Sequence, residues 1–365
     1  MVPCDETWMH EALKEGRKAA EISAPNPAVG CVLVRDGKEL SRGHTQRPGG
    51  YHAEIAAIEA ATKAGISVRG ATAYVTLEPC SHQGRTPPCA KRLIAEGISR
   101  VVFAARDPNP LVCGKGEAML REAGIDVLSG VCEGEARQAH AGFFSRITRH
   151  RPWVRLKSAV SLDGRTALEN GVSQWITGPE AREDAHRYRA LSQGILTGIG
   201  TVLADNPRLN VRLEGEHSNP TKYIIDPRAK TPVSAAVLTG AKAVLFVSET
   251  AEQDKIAALK NAGVEVLTMA TDREGHFDLR QILEAIAARG VNDLLLETGA
   301  RLGGAFLRAG LVDELLVYMA PALIGPGMPL ADLDAKTRMD QVARWKFVSV
   351  TPVGEDVRLI LRNIQ

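Results

Sequence analysis

Apolar positions in the first third of the chain come in short runs punctuated by glycine. Residues 29–35 form an apolar run that ends at Asp36-Gly37, a dipeptide that favours a tight hairpin turn. Residues 52–64 are rich in Ala and Ile and stop at Gly65, which predicts a helix with a glycine end. Residues 71–77 predict a strand. Residues 89–96 predict a helix that Pro87-Pro88 starts and Gly97 ends. A strand at 100–105, a helix at 116–123 before Gly124 and a strand at 125–128 continue the alternation. This order predicts a three-layer α/β sandwich, with helices on both faces of one sheet.

A second alternation begins at residue 154. Strand-like runs occur at 154–160, 194–196, 222–225, 243–247, 294–296 and 315–319. Helical runs lie at 179–191, with Thr177 a candidate cap, and at 279–289 and 302–308. Between the two halves lies a basic stretch, 146–152, carrying Arg146, Arg149, His150 and Arg151. It reads as a linker between residues 1–148 and 149–365, or as a solvated loop within one domain. A length of 365 residues favours two domains.

Composition narrows the classes. The net charge is +2, and aromatic residues make up 4%. Neither a basic nucleic-acid surface nor a base-stacking platform fits those values. Residues 1–20 interleave acids and bases with apolar residues, unlike a signal peptide, and no run reaches membrane-span length. Six cysteines fall within the first 132 residues and do not form a disulfide framework. The expectation is a cytoplasmic protein acting on a small molecule, without nucleic-acid or membrane partners. The run 311–321 fits a paired edge in a homo-oligomer as well as a buried strand.

The chemistry gathers at His52-Ala53-Glu54, Pro79-Cys80 and Cys89. One imidazole and two thiols give the three protein ligands of a catalytic zinc and leave a fourth position for water. Glu54 is then placed to take that water's proton and pass it to a leaving amine. The generic zinc-deaminase signature is H-x-E…P-C-x-x-C; here eight residues intervene between the cysteines. His52 and Glu54 can converge only at a helix start, because two residues of an ideal helix lie about 200° apart. A closed structural zinc would need a fourth ligand, and His82 is the residue able to supply it. Cys4, Cys31, Cys113 and Cys132 read as incidental thiols.

The segment Pro79-Cys80-Ser81-His82-Gln83-Gly84-Arg85-Thr86-Pro87-Pro88-Cys89 goes beyond the generic signature. With Pro25-Asn26-Pro27, Asp107-Pro108-Asn109-Pro110, Ser161-Leu162-Asp163-Gly164-Arg165, Gln174-Trp175-Ile176-Thr177 and Gly200-Thr201-Val202-Leu203-Ala204-Asp205, it resembles the bifunctional riboflavin-biosynthesis deaminase/reductase family, RibD or RibG, over nearly the whole chain. The resemblance implies a cytidine-deaminase-like first domain and a dihydrofolate-reductase-like second domain. It implies deamination of 2,5-diamino-6-ribosylamino-4(3H)-pyrimidinone 5′-phosphate, then NADPH-dependent reduction of its ribosyl group to ribityl.

By position, the resemblance makes His52, Cys80 and Cys89 ligands of one Zn²⁺ per chain and Glu54 the proton carrier, with Asn26 and His44 lining the pocket. It puts NADPH on Ala159, Trp175, Thr201, Asp205, Pro227, Gly299, Ala300, Arg301, Leu302, Gly303, Gly304 and Ala305. It puts substrate on Ser173, Arg189, Leu209, Arg212 and Glu297. Arg189 and Arg212 suit a phosphate through forked hydrogen bonds. Gly299, Gly303 and Gly304 suit a backbone that approaches a pyrophosphate, and Trp175 offers a flat face to a ring. The chain has no G-x-G-x-x-G, so the cofactor assignment rests on the resemblance. Lys157 and Glu297 are the candidate proton carriers of the reduction. Asn206 and Thr298 depart from the family's common Asp and Gly. Two other readings remain: a zinc deaminase acting on a nucleoside or an RNA base, and a zinc-stabilised scaffold with four closed ligands.

Overall fold

The computed structural model describes residues 4–81, 88–110 and 112–363. The chain divides into two compact units, the first ending at His150 and the second beginning at Arg151.

The first unit runs α1 (Asp5–Arg17), β1 (Gly30–Arg35), β2 (Lys38–His44), α2 (Ala53–Lys63), β3 (Thr72–Leu77), α3 (Cys89–Ala95), β4 (Arg100–Ala105), α4 (Lys115–Glu122), β5 (Asp126–Ser129), α5 (Glu133–Ala139) and α6 (Ala141–Arg149). Its sheet has the order β2-β1-β3-β4-β5. The β1–β2 hairpin turns at Asp36 and Gly37, both with positive φ, as a tight primed turn requires. β1 lies antiparallel to β3, and β3, β4 and β5 are parallel. The residues that read as apolar runs, among them Val32, Leu33, Val75, Val102 and Phe103, form one core with Met9, Ala57, Ile58 and Leu93 from the helices.

The second unit runs β6 (Trp153–Ser161), β7 (Arg165–Leu168), α7 (Pro179–Leu191), β8 (Gly194–Gly198), α8 (Ile199–Asp205), β9 (Thr221–Ile225), β10 (Ala243–Ser248), α9 (Gln253–Asn261), β11 (Glu265–Met269), α10 (Leu279–Ala287), β12 (Asp293–Leu296), α11 (Ala300–Arg308), β13 (Glu314–Ala320), β14 (Gly327–Pro329), β15 (Trp345–Val353) and β16 (Asp356–Asn363). A nine-stranded sheet has the order β11-β10-β9-β8-β12-β6-β13-β16-β15, and β7 pairs with β14. Strands from β11 to β13 are parallel, and β16 and β15 close the sheet antiparallel. Alternate residues feed two cores. Val244, Phe246, Leu294 and Leu296 enter one, while Leu245, Val247 and Leu295 enter the other. Burial on both faces explains why these strands read as continuous apolar runs.

Three expectations change. Thr177 does not cap α7; Gly178 holds the N-cap position, with Pro179 as the first helical residue. The division between the units falls at residues 150 and 151, within the 146–152 stretch, but Arg146 and Arg149 are helical. They belong to α6, whose Phe143 packs into the core, and Arg146 lies over the Phe143 ring at 5.8 Å. The run 311–321 holds β13, an interior strand between β6 and β16, so it is not a free edge. No helix among the described residues is long and apolar enough to cross a membrane.

Candidate functional site

His52 is the N-cap of α2, with extended backbone at φ −72° and ψ 165°. That departure from helical geometry frees its ring from the angular spacing that separates residues two apart in a helix. Glu54 follows in the first turn, 4% exposed. α2 sits directly on β2. A Cβ at Gly43 would lie 2.3 Å from the Ala57 nitrogen, so only glycine admits the helix there. Ser41 Oγ donates to the Ala57 carbonyl at 2.8 Å.

Cys89 is the first residue of α3, after Pro88, and Cys80 lies three residues beyond β3. The Cys80 and Cys89 sulfurs lie 3.6 and 3.4 Å from His52 Nδ1. The Cys89 backbone N–H donates to Cys80 Sγ at 3.3 Å. A zinc ion about 2.3 Å from sulfur and about 2.0–2.1 Å from nitrogen, at tetrahedral angles, holds S and N about 3.6 Å apart. The two nitrogen–sulfur distances therefore already match those of a zinc site, and all three donor atoms lie within 4.8 Å of one another. Among the described residues no fourth His, Cys, Asp or Glu donor joins this group; His82 lies outside them.

The electrostatics of the group are polarised. Hydrogen bonds from Cys89 and His52 hold the Cys80 thiol well below its usual range, against its burial. The proton stays on Cys89, whose thiol is pushed up by that hydrogen bond and by burial. Burial pushes the Glu54 carboxyl up to about 7, and Cys80 adds to the shift.

Glu78 was not among the candidates, yet it anchors the Cys80 segment. It is 3% exposed. Its carboxylate accepts from the backbone N–H of Gly114, Gly116 and Glu117 at 3.0, 3.1 and 3.2 Å, and from Asp107 at 3.4 Å. These donors include the free N–H groups at the start of α4. Gly116 completes the seat, since a Cβ there would meet the Pro79 carbonyl at 2.0 Å. An acid before Pro-Cys at the end of an apolar strand was the available signal. Asn26 makes a local contact through its backbone N–H and His44 through one ring nitrogen. Asn26 N–H closes a turn onto Ser23 O at 2.9 Å, and His44 Nδ1 meets Glu15 Oε1 at 2.7 Å.

In the second unit the candidates collect at the carboxyl ends of parallel strands. Lys157 and Ala159 lie on β6, Thr201 follows β8, Pro227 follows β9, and Glu297 and Gly299 follow β12. β8 and β12 are neighbours. The chain leaves β8 toward β9 on one side and leaves β12 toward β13 on the other. Such a divergence opens a ligand crevice in parallel sheets. Trp175 is 69% exposed, with Arg182 4.5 Å from its ring centre, and Ser173 is half-buried beside it.

Glu297 is the electrostatic centre of this crevice. Arg189 Nε donates to Glu297 Oε1 at 2.6 Å and Nη2 to Oε2 at 2.8 Å. Arg189 Nη1 donates to the Asn210 carbonyl at 3.1 Å. Burial alone would raise the Glu297 carboxyl; Arg189 overrides it and holds the group at about 2. Burial lowers Lys157, with Glu297 opposing and Arg189 reinforcing the shift. His186, absent from the candidates, accepts from the Arg212 backbone N–H at 3.2 Å. Burial and then the charges of Arg189 and Arg212 depress its imidazole to about 4.

These contacts revise several roles. Nε and Nη2 of Arg189 both meet Glu297, so a substrate phosphate there would share the guanidinium with that carboxylate. Arg212, which donates to Asn210 Oδ1 at 2.8 Å, remains a phosphate candidate. Gly304 is held tightly by its neighbour, whereas Gly303 has room for a Cβ at ordinary contact. A Cβ at Gly304 would meet the Asp332 carbonyl at 2.1 Å, and one at Gly303 would touch Leu156 at 3.6 Å. Only Gly299, the N-cap of α11, has no heavy atom within 4 Å of a Cβ. The Leu209 side chain is buried in a core cluster, which limits it to backbone contact with a ligand. Asn206 ends α8 in the left-handed region and accepts from Ala236 N–H at 2.8 Å, so this departure from the family is structural.

Known proteins resemble the chain throughout. The family described as RibD C-terminal domain matches residues 152–359. The family described as cytidine and deoxycytidylate deaminase zinc-binding region matches residues 2–105. The riboflavin biosynthesis protein RibD of Aquifex aeolicus is 39% identical over 98% of both chains. A solved RibD structure from Acinetobacter baumannii superposes with a TM-score of 0.89 at 38% identity, covering 99% of each chain. A Thermotoga maritima structure, named as a diaminohydroxyphosphoribosylaminopyrimidine deaminase/5-amino-6-(5-phosphoribosylamino)uracil reductase, gives 0.87 at 34% identity over 98% of each chain. With both domains matched and near-complete coverage, the chain belongs to the RibD family of bifunctional deaminase/reductases of riboflavin biosynthesis.

Proposed function

We propose that the first unit deaminates 2,5-diamino-6-ribosylamino-4(3H)-pyrimidinone 5′-phosphate and that the second reduces the ribosyl group of the product with NADPH. The observation that carries the first assignment is the spacing of His52 Nδ1 from two sulfurs, 3.6 and 3.4 Å, beside the buried Glu54. His52, Cys80 and Cys89 would hold one Zn²⁺. Bound there, zinc supplies Lewis-acid activation of the attacking water. Glu54 takes the proton of that water and returns it to the departing amino nitrogen. Its buried position suits a group that must carry a proton as readily as release it.

In the second unit NADPH, when bound, supplies the hydride. Gly299, at the start of α11, is open to a phosphate, and Trp175 presents an exposed ring face. The pairing of Leu296 with Leu156 puts Glu297 and Lys157 at adjoining positions in register. Glu297, held below the usual carboxylate range by Arg189, is ionised at neutral pH. An ionised carboxylate accepts a proton and has none to donate. Lys157, an ammonium whose pKa burial lowers, is the better donor, with the Glu297 charge nearby to support it.

The test uses the full chain and the diaminopyrimidine ribosyl phosphate. Ammonia release precedes any NADPH oxidation. Glu54→Gln lowers ammonia release by about 10²–10⁴-fold, keeps its zinc, and leaves NADPH oxidation on the deaminated compound intact. Ammonia release surviving that change removes Glu54 from its role. Full reductase turnover in Lys157→Met removes Lys157.

A further inference from the structure

Two groups of three metal-capable side chains converge among the described residues, and the second lies outside both sites above. His10 Nε2 of α1 lies 3.0 Å from Glu135 Oε1 and 3.7 Å from Cys132 Sγ. The three donor atoms all fall within 4.8 Å of one another. We propose that His10, Cys132 and Glu135 form a second binding site for a zinc-like divalent cation.

The donor set is chemically coherent. One thiolate, one imidazole and one carboxylate suit a borderline cation of the zinc class and do not suit magnesium or calcium, which take oxygen ligands. At tetrahedral angles zinc would separate its sulfur and nitrogen ligands by about 3.6 Å, and its nitrogen and oxygen ligands by about 3.4 Å. The observed 3.7 and 3.0 Å need only sub-ångström adjustment.

The local backbone supports the assignment. Cys132 is the N-cap of α5 and Glu135 stands three residues on, the two positions of a capping box. The Cys132 side chain makes no capping hydrogen bond, and Glu135 turns to His10 instead. Cys132 also holds a positive φ of 57°, a conformation that favours glycine or asparagine over cysteine. On binding, the Cys132 S–H bond breaks, sulfur forms the bond to the metal, and the proton leaves to solvent.

The site is independent of the deaminase reading, so the two can fail separately. Full-length Cys80→Ser/Cys89→Ser, which lacks the first thiolate pair, is titrated with Co²⁺. One equivalent binds with a thiolate-to-cobalt absorption band; adding Cys132→Ser abolishes the band, and adding His10→Ala weakens binding at least tenfold. No thiolate band in the double variant, or a band that survives Cys132→Ser, overturns the proposal. If the double variant does not fold, zinc content decides. The wild-type chain reconstituted in zinc holds two ions, and the His10→Ala/Cys132→Ser chain holds one with unchanged ammonia release. Equal zinc content in the two chains overturns the proposal.

Discussion

Each unit buries one carboxylate at its site, and the two are driven in opposite directions. Glu54 faces sulfur and an imidazole, and burial takes it up to about 7. Glu297 is nearly as enclosed, its side chain 12% exposed, yet the Arg189 fork holds it at about 2. The difference lies in what faces each group and not in depth. A carboxylate that faces a strong, fixed cation becomes a permanent charge that positions its neighbours. A carboxylate without such a cation keeps a proton within reach, and the zinc proposed beside Glu54 would lower it from about 7. In the proposed function the first unit uses its acid as a carrier, and the second uses its acid as an anchoring charge near Lys157.

Breaking the anchor gives the largest expected effect. Arg189→Ala strands the Glu297 charge among Leu296, Lys157 and His186, and should destabilise the second unit by about 3–5 kcal/mol. Hydrogen exchange of β8 and β12 peptides in the full chain reads this directly. Arg189→Ala/Glu297→Gln, which removes both charges, should recover most of the stability without recovering reductase turnover. A cost below about 1 kcal/mol for Arg189→Ala would mean that the pair is solvated and the contrast with Glu54 is wrong.

The same contrast explains what could be read in advance. His52 and Glu54 are neighbours in sequence, and Cys80 and Cys89 flank one short insert, so the metal set is a local pattern. Arg189 and Glu297 stand 108 residues apart, and neither is unusual in its own segment. Arg189 therefore reads as a ligand contact until the sheet brings Glu297 onto its fork. The interior strands β6, β8, β9, β10, β12 and β13 were legible because both faces are buried. β15 was not, because most of its residues alternate between exposed and half-buried. α8 spans seven residues, too few for a helical period to emerge. α6 was hidden by its basic residues; Arg146 of α6 covers Phe143, and Arg137 of α5 covers Phe144.

A smaller effect probes the floor of the first unit. His140 Nε2 lies 3.1 Å from Thr76 Oγ1 on β3, and burial depresses its imidazole to about 4 from an ordinary 6.5. Above pH 6.5 the ring is neutral whether the chain is folded or unfolded, so it contributes no pH dependence there. Below 6.5 the unfolded chain binds a proton that the folded chain refuses, and stability falls with pH until about 4. The loss reaches about 3 kcal/mol at the lower limit. His140→Gln removes this part of the slope, so the wild-type minus variant difference in urea stability, measured from pH 7 to pH 4, isolates it. A flat difference would show that His140 titrates normally and that the β3 floor is wet.

The smallest expected effect separates two uses of glycine on one helix. Gly299 opens α11 with free space at its Cβ position, whereas a Cβ at Gly304 would meet the Asp332 carbonyl at 2.1 Å. Gly304→Ala must push backbone against backbone and should cost about 1–3 kcal/mol. Its KM for NADPH should stay near the wild-type value wherever the chain is folded. Gly299→Ala costs a few tenths of a kcal/mol as an N-cap change. It places a methyl group where a phosphate would approach, so KM for NADPH should rise while stability barely moves. If instead Gly304→Ala raised KM at full stability, the glycine-rich start of α11 would be a cradle along its whole length. The anchor role of Glu297 would then have to share the cofactor side of the crevice with it.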